Sequence, residues 1–235
     1  MPQIAELYFC LMLSVMRNAF VFLTLFLATL FSVQAVAQNK PAHPTAYTSP
    51  LSSFSTKWDD AKYKVCNTAA TANYMTDTEK LVICILNMAR MDPHLFEETV
   101  LTKYPATTKH SEEMTASSYY QSLVRTMHLM DTVGLLYPYS LCFESANCHA
   151  ITSARADYTG HDRQTKACKA KEHFLGECCD YGRKAALDII MHLLIDESVP
   201  SLGHREACLD RLYTKLGVSI QAHPSHRYIA VLDFY

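Results

Sequence analysis

The residues of this chain best suited to chemistry are two histidines and two glutamates: His161 in "TGHDR", Glu177 in "LGECC", Glu197 in "LIDES" and His204 in "LGHRE". Each can ionise or bind a metal, and three of them directly follow a glycine, which lets a loop approach closely and aim a side chain inward. Imidazole and carboxylate together suit a divalent metal, zinc first among them, and a carboxylate beside an imidazole also makes an acid–base pair. Spacing alone leaves another reading open, in which all four are charged residues on the solvated ends of helices. His149 lies in a helical pattern and reads as a packed, hydrogen-bonded histidine before it reads as a ligand. His223 and His226 in "HPSHR" have the spacing of a weak metal pair and equally that of a hairpin loop. Ser198 and Ser201 sit near His204 but outside any Gly-x-Ser-x-Gly context, so the sequence supports no serine nucleophile.

These residues need a scaffold, and the hydrophobic periodicity supplies one. "MTDTEKLVICILNMARM" opens with Thr76 or Asp77 as an N-cap and carries an apolar helical face through Leu81, Ile85, Leu86 and Met88, until Asp92-Pro93 ends it. Helical period returns in "YYQSLVRTMHLMDTV", in "LCFESANCHAITSARADYT" and in "RKAALDIIMHLLIDE". Between the last two, "GHDRQTKACKAKEHFLGECCDYG" reads as irregular. After Leu209 the period falls to two in "KLGVSIQA" and "YIAVLDFY", which is a hairpin pattern. Helices first and strands late predict an α+β fold with helices packed on a small antiparallel sheet.

Composition narrows the class. The 235 residues are 49% hydrophobic and 19% charged with a net charge of -2, so no field steers the chain towards nucleic acid or an anionic lipid surface. From Met16 the text "MRNAFVFLTLFLATLFSVQAVAQ" has a basic residue, an apolar run and the small-x-small pattern Ala35-Val36-Ala37, so residues 1–37 are expected to be a signal peptide. Glu6 and the apolar character of residues 1–15 point to Met16 as the true start. An uncleaved anchor is the alternative, although the run is short for a span of roughly 20 residues. Residues 38–75, rich in Ser, Thr and Pro, are expected to be a linker or arm, and residues 76–235 the folded domain. The expected localisation is secreted or periplasmic, with no stable transmembrane segment after processing.

Export sets the expectation for the cysteines. Removing Cys10 with the leader leaves eight of nine, which in an oxidising compartment predicts up to four disulfides among Cys66, Cys142, Cys148, Cys168, Cys178, Cys179 and Cys208, with Cys84 either paired or a buried free thiol. No Cys-x-x-Cys pair is present, which disfavours a cysteine zinc cluster. Oxidation would also remove most thiols as nucleophiles.

The order of the motifs carries a family resemblance. "GH…GE…LIDE…GHR" followed by "LGVSI" and a final apolar strand resembles the CAP superfamily, or SCP domain, which includes cysteine-rich secretory proteins, antigen 5 and pathogenesis-related 1 proteins. "EKLVICILNMARMDPHLF", with Asn87, Arg90, Asp92-Pro93 and Phe96, resembles its bacterial form. The resemblance implies an α-β-α sandwich in which His161, Glu177, Glu197 and His204 share a cleft, Pro200 and Gly203 turning His204 back towards Glu197. Asp196 is a substitute carboxylate one residue away. It further implies a divalent metal, zinc for preference, a lipid or sterol ligand, and an extracellular protein partner. "GECCDYG" departs from the family's Gly-Glu-Asn, and Cys179 and Cys208 stand at positions expected to be apolar and inward, which suggests a bond between them. The expected function is therefore a secreted binding module rather than an enzyme. The alternatives are a metal-dependent hydrolase with Glu177 or Glu197 as base and an interaction protein with a vestigial cleft.

Overall fold

The computed structural model describes residues 47–235, so the expected signal peptide and the first part of the expected arm lie outside the described residues. Thr76 opens the first long helix, α1 (Asp77–Met91), with a capping box in which Glu79 Oε2 accepts from Thr76 N at 2.7 Å. The other oxygen of Glu79 accepts from Ile220 N at 2.8 Å, so one carboxylate caps the helix and fixes it to a strand 141 residues away. Val82, Ile83, Leu86 and Met88 supply the buried face of α1, and Asp92 then turns to cap the next short helix at Leu95 N.

The longer helices that follow are α2 (Ser118–Leu129), α3 (Ser140–Ala156), α4 (Ala186–Ile195) and α5 (Gly203–Leu209). The strands are β1 (Tyr137–Pro138), β2 (Gly176–Tyr181), β3 (Lys215–His223) and β4 (Arg227–Phe234), in the spatial order β1-β3-β4-β2. β1 runs parallel to β3, and the β3–β4 and β4–β2 pairs are antiparallel. Helix α3 covers one face, against β3 and β4, while α1, α4 and α5 cover the other. The protein is thus α+β, with helices on both faces of a small four-stranded sheet. Gly217 permits the closest approach: a Cβ there would lie 2.1 Å from Phe143 N at the start of α3.

Three features differ from the sequence reading. Residues 47–75, expected as a linker or arm, are packed into the main core through Leu51, Trp58, Tyr63 and Cys66, all almost fully buried. Trp58 Nε1 donates to Thr99 Oγ1 at 3.0 Å and Tyr63 donates to Asp92 Oδ2 at 2.6 Å. Serine and aspartate side chains cap the 3-10 turns of this stretch (Thr56–Asp59 and Ala61–Cys66) at Lys57 N and Lys62 N, so polar composition here satisfies backbone rather than marking disorder. The stretch read as irregular contains β2, whose polar residues Glu177 and Asp180 are buried in ion pairs. The third difference concerns sulfur: the disulfide is Cys148–Cys168, and Cys66, Cys84, Cys142, Cys178, Cys179 and Cys208 are buried free thiols. Cys179 and Cys208 belong to separate clusters on opposite sides of the sheet. No helix among the described residues is long and apolar enough to cross a membrane.

Candidate functional site

Side chains on β2 alternate between the two faces, and this alternation divides the candidate residues. Glu177 and Cys179 point towards α3, where Cys179 packs with Ala146, Ala150 and Val231. Cys178 points the other way, near Cys208 in α5, with its thiol donating to the carbonyl of His204 at 3.8 Å.

On the α3 side, Glu177 is the centre. Its Oε1 accepts from His161 Nδ1 at 2.8 Å and its Oε2 from Arg163 Nη2 at 2.6 Å. Its side chain is 4% exposed, whereas that of His161 is 58% exposed. Burial works to raise the Glu177 carboxyl, but the hydrogen bonds from His161 and Arg163 and the guanidinium charge hold it well below the usual range, so it stays ionised. The same hydrogen bond, donated to Glu177, raises His161. Asp233, beside Glu177 in the β2–β4 register, has no hydrogen-bond partner for either oxygen and lies 3.7 Å from Arg163. Burial, and then the charge of Glu177, push the Asp233 carboxyl up to about 9.

The loop that carries His161 and Arg163 is shaped by Gly160, whose φ of +126° is a backbone conformation that side chains rarely adopt. Its carbonyl lies 3.0 Å from Nε2 of His149 in α3. Because a carbonyl only accepts, that nitrogen carries the proton, and Nδ1 accepts from Ser153 Oγ at 3.2 Å. Burial lowers the His149 pKa and keeps the ring neutral. The Cys148–Cys168 bond fastens this same loop to α3 one residue before His149.

The opposite side holds the other expected residues. His204, in the first turn of α5, places Nδ1 2.7 Å from Asp196 Oδ1, and its backbone N donates to Asp196 Oδ2 at 3.0 Å. The carboxylate that meets His204 is therefore Asp196, the αL residue that ends α4. Glu197 turns outward, accepts from Ser117 Oγ, and lines a groove of about 360 Å³ with His110, Arg183 and His192. The structure thus brings His161 together with Glu177, sets His204 on Asp196, and gives Glu197 a separate partner. The corner between α4 and α5 is bent by three non-glycine residues at positive φ, Asp196, Ser198 and Leu202.

Sequence reasoning missed Arg163, Asp233 and the placing of His149 and Cys179 beside Glu177. The two-residue spacing of Glu177 and Cys179 would have joined them had "GECCDY" been read as a strand. His149, Glu177 and Cys179 offer ligand atoms within 4.8 Å of one another, so these residues could hold a metal ion. Burial also pushes Cys66 and Cys142 up to about 12 and Cys84 up to about 11, and raises Cys179, which leaves these thiols poor nucleophiles.

No family model and no curated protein matches the chain. A solved structure that does match is the 1.5 Å crystal structure of an extracellular protein containing an SCP domain from Bacillus anthracis str. Ames. The identity is 20% and the TM-score 0.34, over 49% of this chain and 38% of that one, so the match spans well under half of that protein.

Proposed function

We propose that this chain is an exported binding module of the CAP or SCP type, which holds a divalent cation at Glu177 and His161 and is not a hydrolase. The observation that carries the reading is the Glu177 carboxylate: buried, kept ionised through Oε2 by Arg163, and turned through Oε1 towards a half-exposed imidazole. An ionised carboxylate and an imidazole that meet at a loop edge are suitable donors for zinc. The order of motifs and the α-β-α layering support the family reading, and the leader pattern in residues 16–37 supports export. Catalysis is disfavoured by the same geometry, because a carboxylate clamped by a guanidinium has little tendency to take up a proton in a reaction.

Calorimetric titration of the purified protein with zinc tests the proposal. One ion should bind per chain, and Glu177→Gln and His161→Ala should each weaken binding at least tenfold. Unchanged binding in both variants would overturn the site. Zinc-dependent turnover of a peptide or ester library that disappears in Glu177→Gln would overturn the non-enzymatic reading.

A further inference from the structure

We infer that the ion at Glu177 is a thiophilic one of the zinc class, held by His149 and Cys179 from below and closed from above by His161. The inference rests on the proposed cation site and specifies its donors. His149, Glu177 and Cys179 each offer a ligand atom, and these atoms lie within 4.8 Å of one another. His149 Nε2 is 4.0 Å from Glu177 Oε1. His161 Nδ1 is 2.8 Å from that oxygen and 3.9 Å from Cys179 Sγ.

Bonds of about 2.0–2.3 Å set tetrahedral zinc donors roughly 3.3–3.8 Å apart, so these separations need adjustments of about one ångström or less. Three elements bring four donors to this point. His149 comes from α3, Glu177 and Cys179 from alternate positions of β2, and His161 from the loop that the Cys148–Cys168 bond ties to α3.

The surrounding groups fit the same set. Arg163 occupies Glu177 Oε2, so the carboxylate has one oxygen to give and binds in monodentate fashion. That suits a four-coordinate ion with nitrogen and sulfur donors, whereas calcium takes six to eight oxygens. His149 must present the lone pair of Nε2, which its present bond to Gly160 O uses as a donor. Ser153 Oγ stands at Nδ1 to accept from the other tautomer, so the change moves one proton across the ring and retains the outer hydrogen bond. Cys179 loses its proton to solvent as the metal–sulfur bond forms, with no change of oxidation state. Of the donors, three are in the closed interior, and half-exposed His161 is the side chain that swings to admit the ion, the proton that its Nδ1 now shares with Glu177 Oε1 passing to solvent so that the ring nitrogen is free to bind.

Cobalt(II) is the probe, because cobalt–thiolate coordination gives a sulfur-to-metal charge-transfer band in the near ultraviolet and tetrahedral coordination intensifies its visible bands. Full-length protein with its disulfide intact should show both on adding one equivalent of cobalt. Cys179→Ser should lose the ultraviolet band and His149→Gln should weaken binding at least tenfold, while circular dichroism confirms that each variant is folded. Should either variant fail to fold, the wild-type spectrum still decides: cobalt binding without a thiolate band would overturn the donor set and leave the proposed cation site at Glu177 and His161 standing. A band that persists in folded Cys179→Ser would also overturn the donor set, by placing the ion on another cysteine. No binding of cobalt or zinc at all would overturn both the donor set and the proposed function.

Discussion

At the level of single residues, Arg163 determines the character of the site. Its side chain is fully buried and lies within salt-bridge distance of Glu177, Asp233 and Glu172. Removing one partner of a buried pair leaves an uncompensated charge, so Arg163→Met should cost about 3–5 kcal/mol in urea unfolding. A loss below about 1 kcal/mol would show that the guanidinium does not hold Glu177. Asp233 makes a separate, pH-dependent contribution. Its folded pKa is raised, so the folded state keeps a proton that the unfolded chain releases, and stability falls as pH rises from the unfolded carboxylate value towards the folded one. Glu177 is lowered and acts in the opposite sense: its stabilisation is present above the unfolded value and is lost as pH falls through the folded one. In chelator-treated protein, Asp233→Asn should therefore flatten the stability profile between about pH 5 and 8 and be more stable than the parent at the upper end. An unaltered profile would contradict the assignment. The family resemblance put His161 and Glu177 in one cleft with Glu197 and His204, and of these His161 and Glu177 lie 2.8 Å apart, but nothing signalled that an arginine two residues beyond His161 would take half of the carboxylate. Nor did it distinguish Asp196 from Glu197. That choice depends on the αL turn at Asp196, which directs its carboxylate under α5 and leaves Glu197 outside.

Among the elements, the long helices and the final hairpin were legible because one apolar face repeats over many residues. α1, α3 and α4 begin and end close to where their caps and apolar stripes predict. β2 was not legible, since a strand that buries Glu177 and Asp180 in ion pairs has no alternation of apolar with polar residues. Helix α5 was given no element of its own in the sequence, being only seven residues long and lacking a side-chain cap. The contact that unites the layers is α3 against β3, where Gly217 meets the backbone of Cys142 and Phe143. Gly217→Ala would drive a methyl group into main chain that cannot move aside by changing a rotamer. It should cost about 3 kcal/mol or more in chemical denaturation, and His149 would shift with α3. A variant as stable as the parent would mean that α3 sits further from the sheet than described. The disulfide belongs to this level too, since it joins α3 to the loop that positions His161 and Arg163.

Over the whole described molecule, residues 47–75 were the least legible in the sequence. Serine and threonine are frequent in them, yet Leu51, Trp58 and Tyr63 are spaced so that 3-10 turns deliver them into one core with α1 and α4. The cysteines follow from the same burial. Protein processed after Ala37 should retain eight cysteines, of which two form the disulfide. Six thiols should therefore react in denaturant under non-reducing conditions, and almost none should react in the native protein. Two or fewer reactive thiols on denaturation would restore the framework of several disulfides that export alone suggests.

The measurement that bears most directly on the central claim is an anomalous difference map, collected at the zinc edge from crystals of the purified protein soaked in zinc. The account predicts one dominant peak on the α3 side of β2, bonded to Glu177 Oε1 and within ligand distance of His161 and Cys179. A dominant peak at His204 and Asp196, or at Glu197, with none at Glu177, would contradict it.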